Sequence, residues 1–305
     1  MLTRLPLSAA LVPRGTALLV LAGLLWGTGG LAGSLLASRT GMHPVAVAAL
    51  RLLIGGIFIT IYAATAGGFR TVPRTRAAAA RLSVTGLLMA TYQTAYFAAV
   101  QATSVSLATL TTMVAIPVLV TIGSAVLDRR LPTLRAAASI VTAVSGLMLL
   151  LNSPTSTGGN HIAGAGLALL AALGFALLTL DRRAPLPGLD PNAATGLGFM
   201  TGGLLLLPAG LLSGMELPPR IDVVGAVMFL GLVPTAVAYT SYFTGLRHAG
   251  AAAGIIAILL EPLTATQLAV LIAHDHLDGL QVLGAFLVLV AIGVQQAPTK
   301  TASRS

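Results

Sequence analysis

Glu261 and Pro262 stand side by side in "AILLEPLTATQ" (257–267), inside one of the most apolar regions of the chain. Two chemistries are open to a carboxyl in such surroundings. It carries a proton or contacts the polar group of a bound solute, or it stays a neutral, buried acid that pins a kinked helix. Pro262 has no N–H and frees the carbonyl of Ile258 four residues earlier, which sets a bare acceptor beside the acid. The stretch "VAIPVLV" (114–120) repeats the device: Pro117 frees the Met113 carbonyl, with Thr109 and Thr112 on the same helical side.

Arg51 is a second charge at depth, in "AALRLLIGG". It either snorkels outward or braces backbone carbonyls, or else it contacts an anionic group or gates a cavity. Aromatic and polar residues recur nearby at helical spacing. Met89, Tyr92, Gln93 and Tyr96 share one face, and Thr235, Tyr239 and Tyr242 follow an i, i+4, i+7 pattern. Tyrosines favour the membrane interface, yet Tyr92 and Tyr239 fall deeper in their runs, and Trp26, the single tryptophan, sits mid-run. Such rings and hydroxyls either line a chamber for a zwitterionic or aromatic solute or bond one helix to the next. The expected binding set is therefore Trp26, Tyr92, Gln93, Tyr96, Thr112, Tyr239, Tyr242 and Glu261, with Arg51, Pro117 and Pro262 gating or shaping it.

These residues need a scaffold, and composition says which kind. The 305 residues are 56% hydrophobic and 8% charged, with a mean hydropathy of +0.94. Soluble domains carry about 25% charged residues, so too little remains here for a water-facing shell. The chain reads as an all-α polytopic membrane protein. Ten apolar runs fall near 15–37, 44–66, 79–100, 103–127, 134–151, 162–180, 192–213, 222–246, 249–273 and 279–296. Each is close to the ~20 residues that a spanning helix needs. Lipid offers no partner to unpaired backbone groups, so helices are expected, and the alternation of a barrel is missing. The first run stays apolar beyond a signal core and has no clean cleavage site, so it reads as a span. Arg81 and Arg135, at the starts of the third and fifth runs, are expected to snorkel outward.

Basic residues support this count. With ten spans, all but three of the 17 fall on one side; Arg39 and Arg220 lie on the other, and Arg51 lies within a run. Positive loops stay cytoplasmic, so both termini are expected inside. Glu261 then falls about twelve residues into the ninth run, roughly 18 Å deep and near the bilayer centre. An acid at that depth costs ~2.5–3.5 kcal/mol on insertion scales and is expected to face protein or a water-filled cavity.

The polar stretch "LNSPTSTGGN" (151–160) divides the chain into two halves of five runs, with 152–161 as an outer linker between 1–151 and 162–305. The halves are weakly alike. "TYQTAYFAAVQATS" (91–104) faces "VAYTSYFTGLRHAG" (237–250), Pro117 faces Pro262, and Trp26 falls opposite Phe175. Pro234 has no counterpart. Five is odd, so the second half must insert upside down. Inverted repeats with interrupted helices at matching positions are a signature of secondary transporters, whose sites lie at mid-depth between the halves.

At this point the chain resembles the EamA-type branch of the drug/metabolite transporter superfamily over nearly its whole length. The likeness rests on "LLWGTGG", "AALRLLIGG", "AYFAAVQATSVSLATL" and "LLEPLTA", in that order. It implies a cavity formed mainly by the first, third, fourth, sixth, eighth and ninth runs. It also implies export of a small metabolite, such as an amino acid or related amphipathic compound, from a bacterial cell across its inner membrane.

Other classes fit less well. The string "GTGGLAG" (27–33) lacks the preceding strand and the following Lys-Ser/Thr of a phosphate loop, so it reads as close helix packing. No ATP-binding domain is legible, so no ATPase partner or cofactor is expected. The arginines are scattered between apolar runs, which argues against nucleic acid. No cysteine is present, which excludes thiolate chemistry. The outer turn "AHDHLDG" (273–279) carries His and Asp, but it reads as a solvated loop and no metal site is expected. An uptake permease of the same fold remains a rival. A membrane-embedded enzyme would need an acid, base or metal constellation at depth, and no catalytic set is legible.

Overall fold

Apolar runs of Ala, Leu, Val and Gly close their backbone hydrogen bonds internally only as helices, and each of the runs above is helical. The computed structural model describes residues 14–151, 161–183, 186–249, 251–275 and 277–296; the expected linker at 152–160 lies outside these. In chain order the helices are α1 (Arg14–Thr40), α2 (Pro44–Thr65), α3 (Arg76–Ala102), α4 (Val105–Asp128), α5 (Leu134–Leu151), α6 (His161–Asp181) and α7 (Pro191–Leu212). The eighth run is α8 (Ile221–Gly231), a π-helical turn (Leu232–Val237) and α9 (Ala238–Ala249), and the last two are α10 (Ile255–Ile272) and α11 (Gly279–Gln296). No strand occurs among the described residues.

Among the described residues, six helices are long and apolar enough to cross a membrane by themselves: α1, α2, α4, α6, α7 and the continuous stretch Ile221–Ala249. Shorter apolar helices cover Leu134–Leu149, Ala257–Ile272 and Gly279–Ala291. Long α3 is less apolar because Arg76 and Arg81 occupy its first turns and Gln93 its middle. The outer surface carries leucines, isoleucines and phenylalanines, among them Leu205, Ile61 and Phe286, each more than half exposed. The interior packs alanines, leucines and valines and also buries threonines, Gln93 and Ser106. An apolar outer surface around such an interior marks a multi-pass membrane protein.

Helix starts follow ordinary capping chemistry. Thr75 accepts from the Ala78 N–H (3.2 Å), Ser104 from Leu107 (3.3 Å), and Asp190 from Asn192 and Ala193 (2.9 and 3.1 Å). The ninth run departs from expectation. A 3-10 turn, Ala251–Gly254, precedes α10, so Glu261 is the seventh residue of regular helix rather than about the twelfth. Arg81 and Arg135 have partners within the protein. Arg81 pairs with Asp181 (3.2 Å), and Arg135 Nε donates to the Val294 carbonyl (2.8 Å).

Packing between helices follows a regular pattern. α2 packs on α7, α5 on α11 and α4 on α10. α3 packs on α6 while α1 packs on α9, and α4 packs on α6 while α1 packs on α10. Glycines of α1 make these contacts close. A Cβ added at Gly23 would lie 2.8 Å from the Ala257 Cα, and one at Gly27 would lie 2.8 Å from the Glu261 carbonyl oxygen and 2.9 Å from the Ala265 nitrogen. On the same helix, Tyr96 lies over Gly30 and Phe97 over Gly33. The "GTGGLAG" string thus seats three neighbours against α1.

This seating gives a direct test. Gly27→Ala places its methyl against backbone atoms of α10, which cannot rotate away, so the helices must separate at a cost of about 1–3 kcal/mol. We expect a lower melting temperature in detergent. Gly166→Ala, whose methyl would meet nothing within 4 Å, should leave it unchanged or raise it. Equal melting temperatures for the two variants would show that α1 and α10 are not held at this separation.

Candidate functional site

A cavity of about 490 Å³ lies among these helices. α1 contributes Trp26, α2 Arg51 and α3 Met89 and Tyr92. α4 contributes Met113, Ile116, Pro117, Val120 and Thr121 around its internal proline, and α6 contributes Phe175, Leu178 and Thr179. Arg182 follows just beyond α6, Phe199 comes from α7, and Tyr239, Tyr242, Phe243 and Leu246 form one stripe of α9. Ile258 and Glu261 complete the wall from α10.

The rings form a connected layer. Trp26 lies 5.1 Å from Tyr239 and 4.9 Å from Tyr242, centroid to centroid. Tyr92 lies 5.1 Å from Phe175, and Phe199 meets Tyr239 edge-on at 5.0 Å. The wall is thus largely apolar and aromatic with three charges set into it, which suits an amphipathic solute.

Glu261 faces this cavity and has no hydrogen bond or ion pair among the described residues. Arg51 is 6% exposed and firmly held. Its Nε donates to Thr235 Oγ1 (3.0 Å), its Nη2 to the Pro234 carbonyl (3.4 Å), and its guanidinium lies 5.7 Å from the Phe97 ring centre. Thr235 in turn donates to the Leu230 carbonyl (2.9 Å). Pro234 interrupts the α8–α9 ladder and the backbone there is a π turn; the Leu230 carbonyl four residues earlier takes the Thr235 hydroxyl, and Arg51 in turn holds Thr235 and the Pro234 carbonyl. That accounts for the proline without a partner in the first half. Gly29 makes room for the guanidinium: a Cβ there would sit 3.0 Å from both of its terminal nitrogens.

Of the expected binding residues, Trp26, Tyr92, Tyr239, Tyr242 and Glu261 reach the wall, as do Arg51 and Pro117. The others do not. Gln93 is wholly buried away from the cavity, and neither of its amide atoms has a hydrogen-bond partner among the described residues. Thr112 bonds the Ala168 carbonyl of α6 (3.4 Å), a helix–helix link. Tyr96 turns toward the opposite end, where its hydroxyl bonds Thr109 (2.7 Å). Pro262 is buried behind the wall, and the freed Ile258 lines the cavity in its place.

Beyond Tyr96 and Phe97 lies a second, smaller space of about 280 Å³, lined by Gly33, Ser34, Ala37, Ser38, Pro44, Val47, Phe97, Val100 and Gln101. The Tyr96–Phe97 pair on Gly30 and Gly33 therefore stands as a septum between two spaces. Near that end, Asp275 accepts from the Ser106 N–H (3.1 Å) and ties the turn after α10 to the start of α4. His276 of the His/Asp turn lies outside the described residues. Among the described residues, no group of three or more metal-ligating side chains assembles.

Three comparisons place the chain among known proteins. The EamA-like transporter family matches over residues 13–152 and 162–294. A protein of Bacillus subtilis (strain 168), named uncharacterized transporter YwfM, is 31% identical over 289 residues, 92% of this chain and 93% of that one. A solved crystal structure with 22% identity and a TM-score of 0.63 covers 92% of this chain and 95% of its own, a likeness of fold.

The Arg51 brace is testable. Lysine keeps the charge but loses the fork that reaches Thr235 and Pro234 together. Arg51→Lys should cost about 1.5–3 kcal/mol, the worth of a hydrogen bond to a charged group, and should lower the melting temperature by several degrees. An unchanged melting temperature would mean that the π turn stands without its brace.

Proposed function

The chain belongs to the EamA-like transporter family, and from that premise we propose that it is a secondary transporter that exports a small amphipathic metabolite, such as an amino acid. Ten helices cross the bacterial inner membrane as two five-helix halves of opposite sense, with both termini cytoplasmic. Three observations support the architecture. The family matches in two stretches that coincide with the halves. The major helix pairings are kept when each run is exchanged for the one five places on. Basic residues crowd one side of the ten-span arrangement.

One observation carries the mechanism. The lining of the large cavity extends from Trp26 and Glu261 to Arg182, which in the ten-span reading lies on the basic side, while Tyr96 and Phe97, toward the other side in that reading, are not part of it. A cavity stopped at one end and leading to the other is one state of an alternating-access cycle. In that state the solute enters from the cytoplasm and packs its apolar body against the rings. Rocking one half against the other then lifts Tyr96 and Phe97 off Gly30 and Gly33 and closes the arginine-bearing mouth.

Glu261 provides the coupling. It is the acid on the cavity wall, and it holds either a proton or the cationic group of the solute, not both. Exclusive occupancy of one carboxyl makes the two movements opposite: solute leaves, and a proton returns.

Proteoliposomes loaded with radiolabelled L-leucine or L-phenylalanine, with and without a pH gradient, test this reading. Wild-type efflux should accelerate when the outside is acidic, whereas Glu261→Gln should lose that response and retain at most slow exchange. Equal rates and equal pH response in the two proteins would remove Glu261 from the coupling step. Accumulation rather than efflux in vesicles of known orientation would reverse the direction.

A further inference from the structure

The cavity contains a charge that the mechanism above leaves unused. In "LDRRAP" (180–185), α6 ends at Asp181, and the next two residues are arginines. Asp181 pairs with Arg81 of α3, whose Nη1 also donates to the Asp181 carbonyl (3.0 Å). Arg183 pairs with Asp128 at the end of α4 (2.8 Å). Arg182, between these two paired residues, has neither a hydrogen bond nor an ion pair for its side chain among the described residues, and it lines the cavity.

Its position continues the wall of α6. Phe175, Leu178, Thr179 and Arg182 fall at i, i+3, i+4 and i+7, one stripe that ends on the guanidinium. Tyr239, Tyr242, Asp181 and Arg81 are the titratable side chains nearest it, while Arg51 is the one nearest Glu261. Arg51 is already committed to Pro234 and Thr235. The two uncommitted charges of the cavity are therefore Arg182 and Glu261, set at separate places on the wall with aromatic side chains between them.

A guanidinium withdrawn from water without a partner is costly, and a carboxylate or phosphate oxygen pair offsets that cost with two parallel hydrogen bonds. We propose that Arg182 binds the anionic group of the carried solute and so selects small amphipathic acids, above all zwitterions with an apolar body whose ammonium group lies toward Glu261. This assignment rests on the reading of the cavity as the transport site. Paired arginines after a helix are ordinary positive-inside residues; what separates Arg182 from Arg183 is that its guanidinium forms no ion pair among the described residues and that it lines the cavity wall.

Trp26 is the single tryptophan and lies in that wall, so its fluorescence reports occupancy without a label. The full-length protein in maltoside detergent is titrated with three matched probes: L-phenylalanine, 3-phenylpropionate, which lacks the ammonium group, and phenethylamine, which lacks the carboxylate. The amino acid and the acid should perturb Trp26 at lower concentrations than the amine. Arg182→Gln should weaken both by about tenfold or more, a loss of ~1.4 kcal/mol per decade, while leaving the amine unchanged, which also shows that the variant is folded. Arg182→Lys should recover part of the loss.

Equal binding of amine and acid, or an Arg182→Gln variant that keeps the acid preference, would overturn the role of Arg182 while leaving the cavity as the binding site. Failure of all three probes to perturb Trp26 would overturn both readings. A lipid phosphate is the other source of the same anionic chemistry. If acid preference in maltoside disappears in nanodiscs containing phosphatidylglycerol, the headgroup occupies Arg182 and the proposal falls; if it persists in both, the solute does.

Discussion

Lipid supplies no hydrogen bonds, so each break in a spanning helix exposes a backbone group that the protein itself must meet. The arrangement around Arg51 follows from that constraint. Pro234 removes one donor from the eighth run, the helix relaxes into a π turn, the Thr235 hydroxyl takes the Leu230 carbonyl, and the guanidinium holds that hydroxyl and the Pro234 carbonyl. A long cation can reach it from α2 only because Gly29 on α1 has no side chain there. One break in one helix thus fixes a charge on a second and a glycine on a third. The same bond sets the register of α2 against the eighth run beside the cavity, and Tyr239 and Tyr242 begin two residues beyond the π turn.

The prolines of α4 and α10 have a different consequence. Pro117 and Ile258 line the cavity, Pro262 lies just behind it, and the two helices pack together. Both prolines lie inside continuous helices, at or beside the wall that carries Glu261. Glu261 is placed there without a protein partner, next to a carbonyl that its own helix has released. An acid set so deep is stable only if something mobile, such as water, a proton or a solute, attends it. This is the physical link from two proline codons to a transport cycle.

Sequence reasoning reaches some of this and stops at identifiable places. Hydropathy locates the helices, because a span is long and its signal accumulates over some 20 residues. The start of α10 is displaced because "AAAG" is apolar enough to extend the run but coils as a 3-10 turn. Helical spacing correctly groups Met89 and Tyr92, yet it also includes Gln93 and Tyr96. A central helix such as α3 is buried on several sides, and period alone does not say which side meets the cavity. Thr112 fails for the same reason, since its side of α4 is covered by α6. Arg182 is invisible for another: at a helix end, an arginine reads as part of a basic loop. Only the pairing of its two neighbours reveals that it alone is turned toward the cavity.

The two Tyr-Phe pairs give the argument its last step. In the register that sets Trp26 opposite Phe175, Gly30 corresponds to Thr179 and Gly33 to Arg182. Tyr96 and Phe97 press onto the two glycines and form the septum, whereas Tyr242 and Phe243 stand open on the cavity wall, as do Thr179 and Arg182. Identical pairs in unlike environments are what two inverted halves must show when access is open at one end only. A rocking motion that exchanges those environments would free the first pair and press the second toward Thr179 and Arg182. Glycine permits a dry, close seal at one mouth. An arginine at the corresponding place on the other cannot be sealed dry without a counter-charge, so in the cycle we propose, closure at that mouth is favoured when an anionic group has come in with the solute.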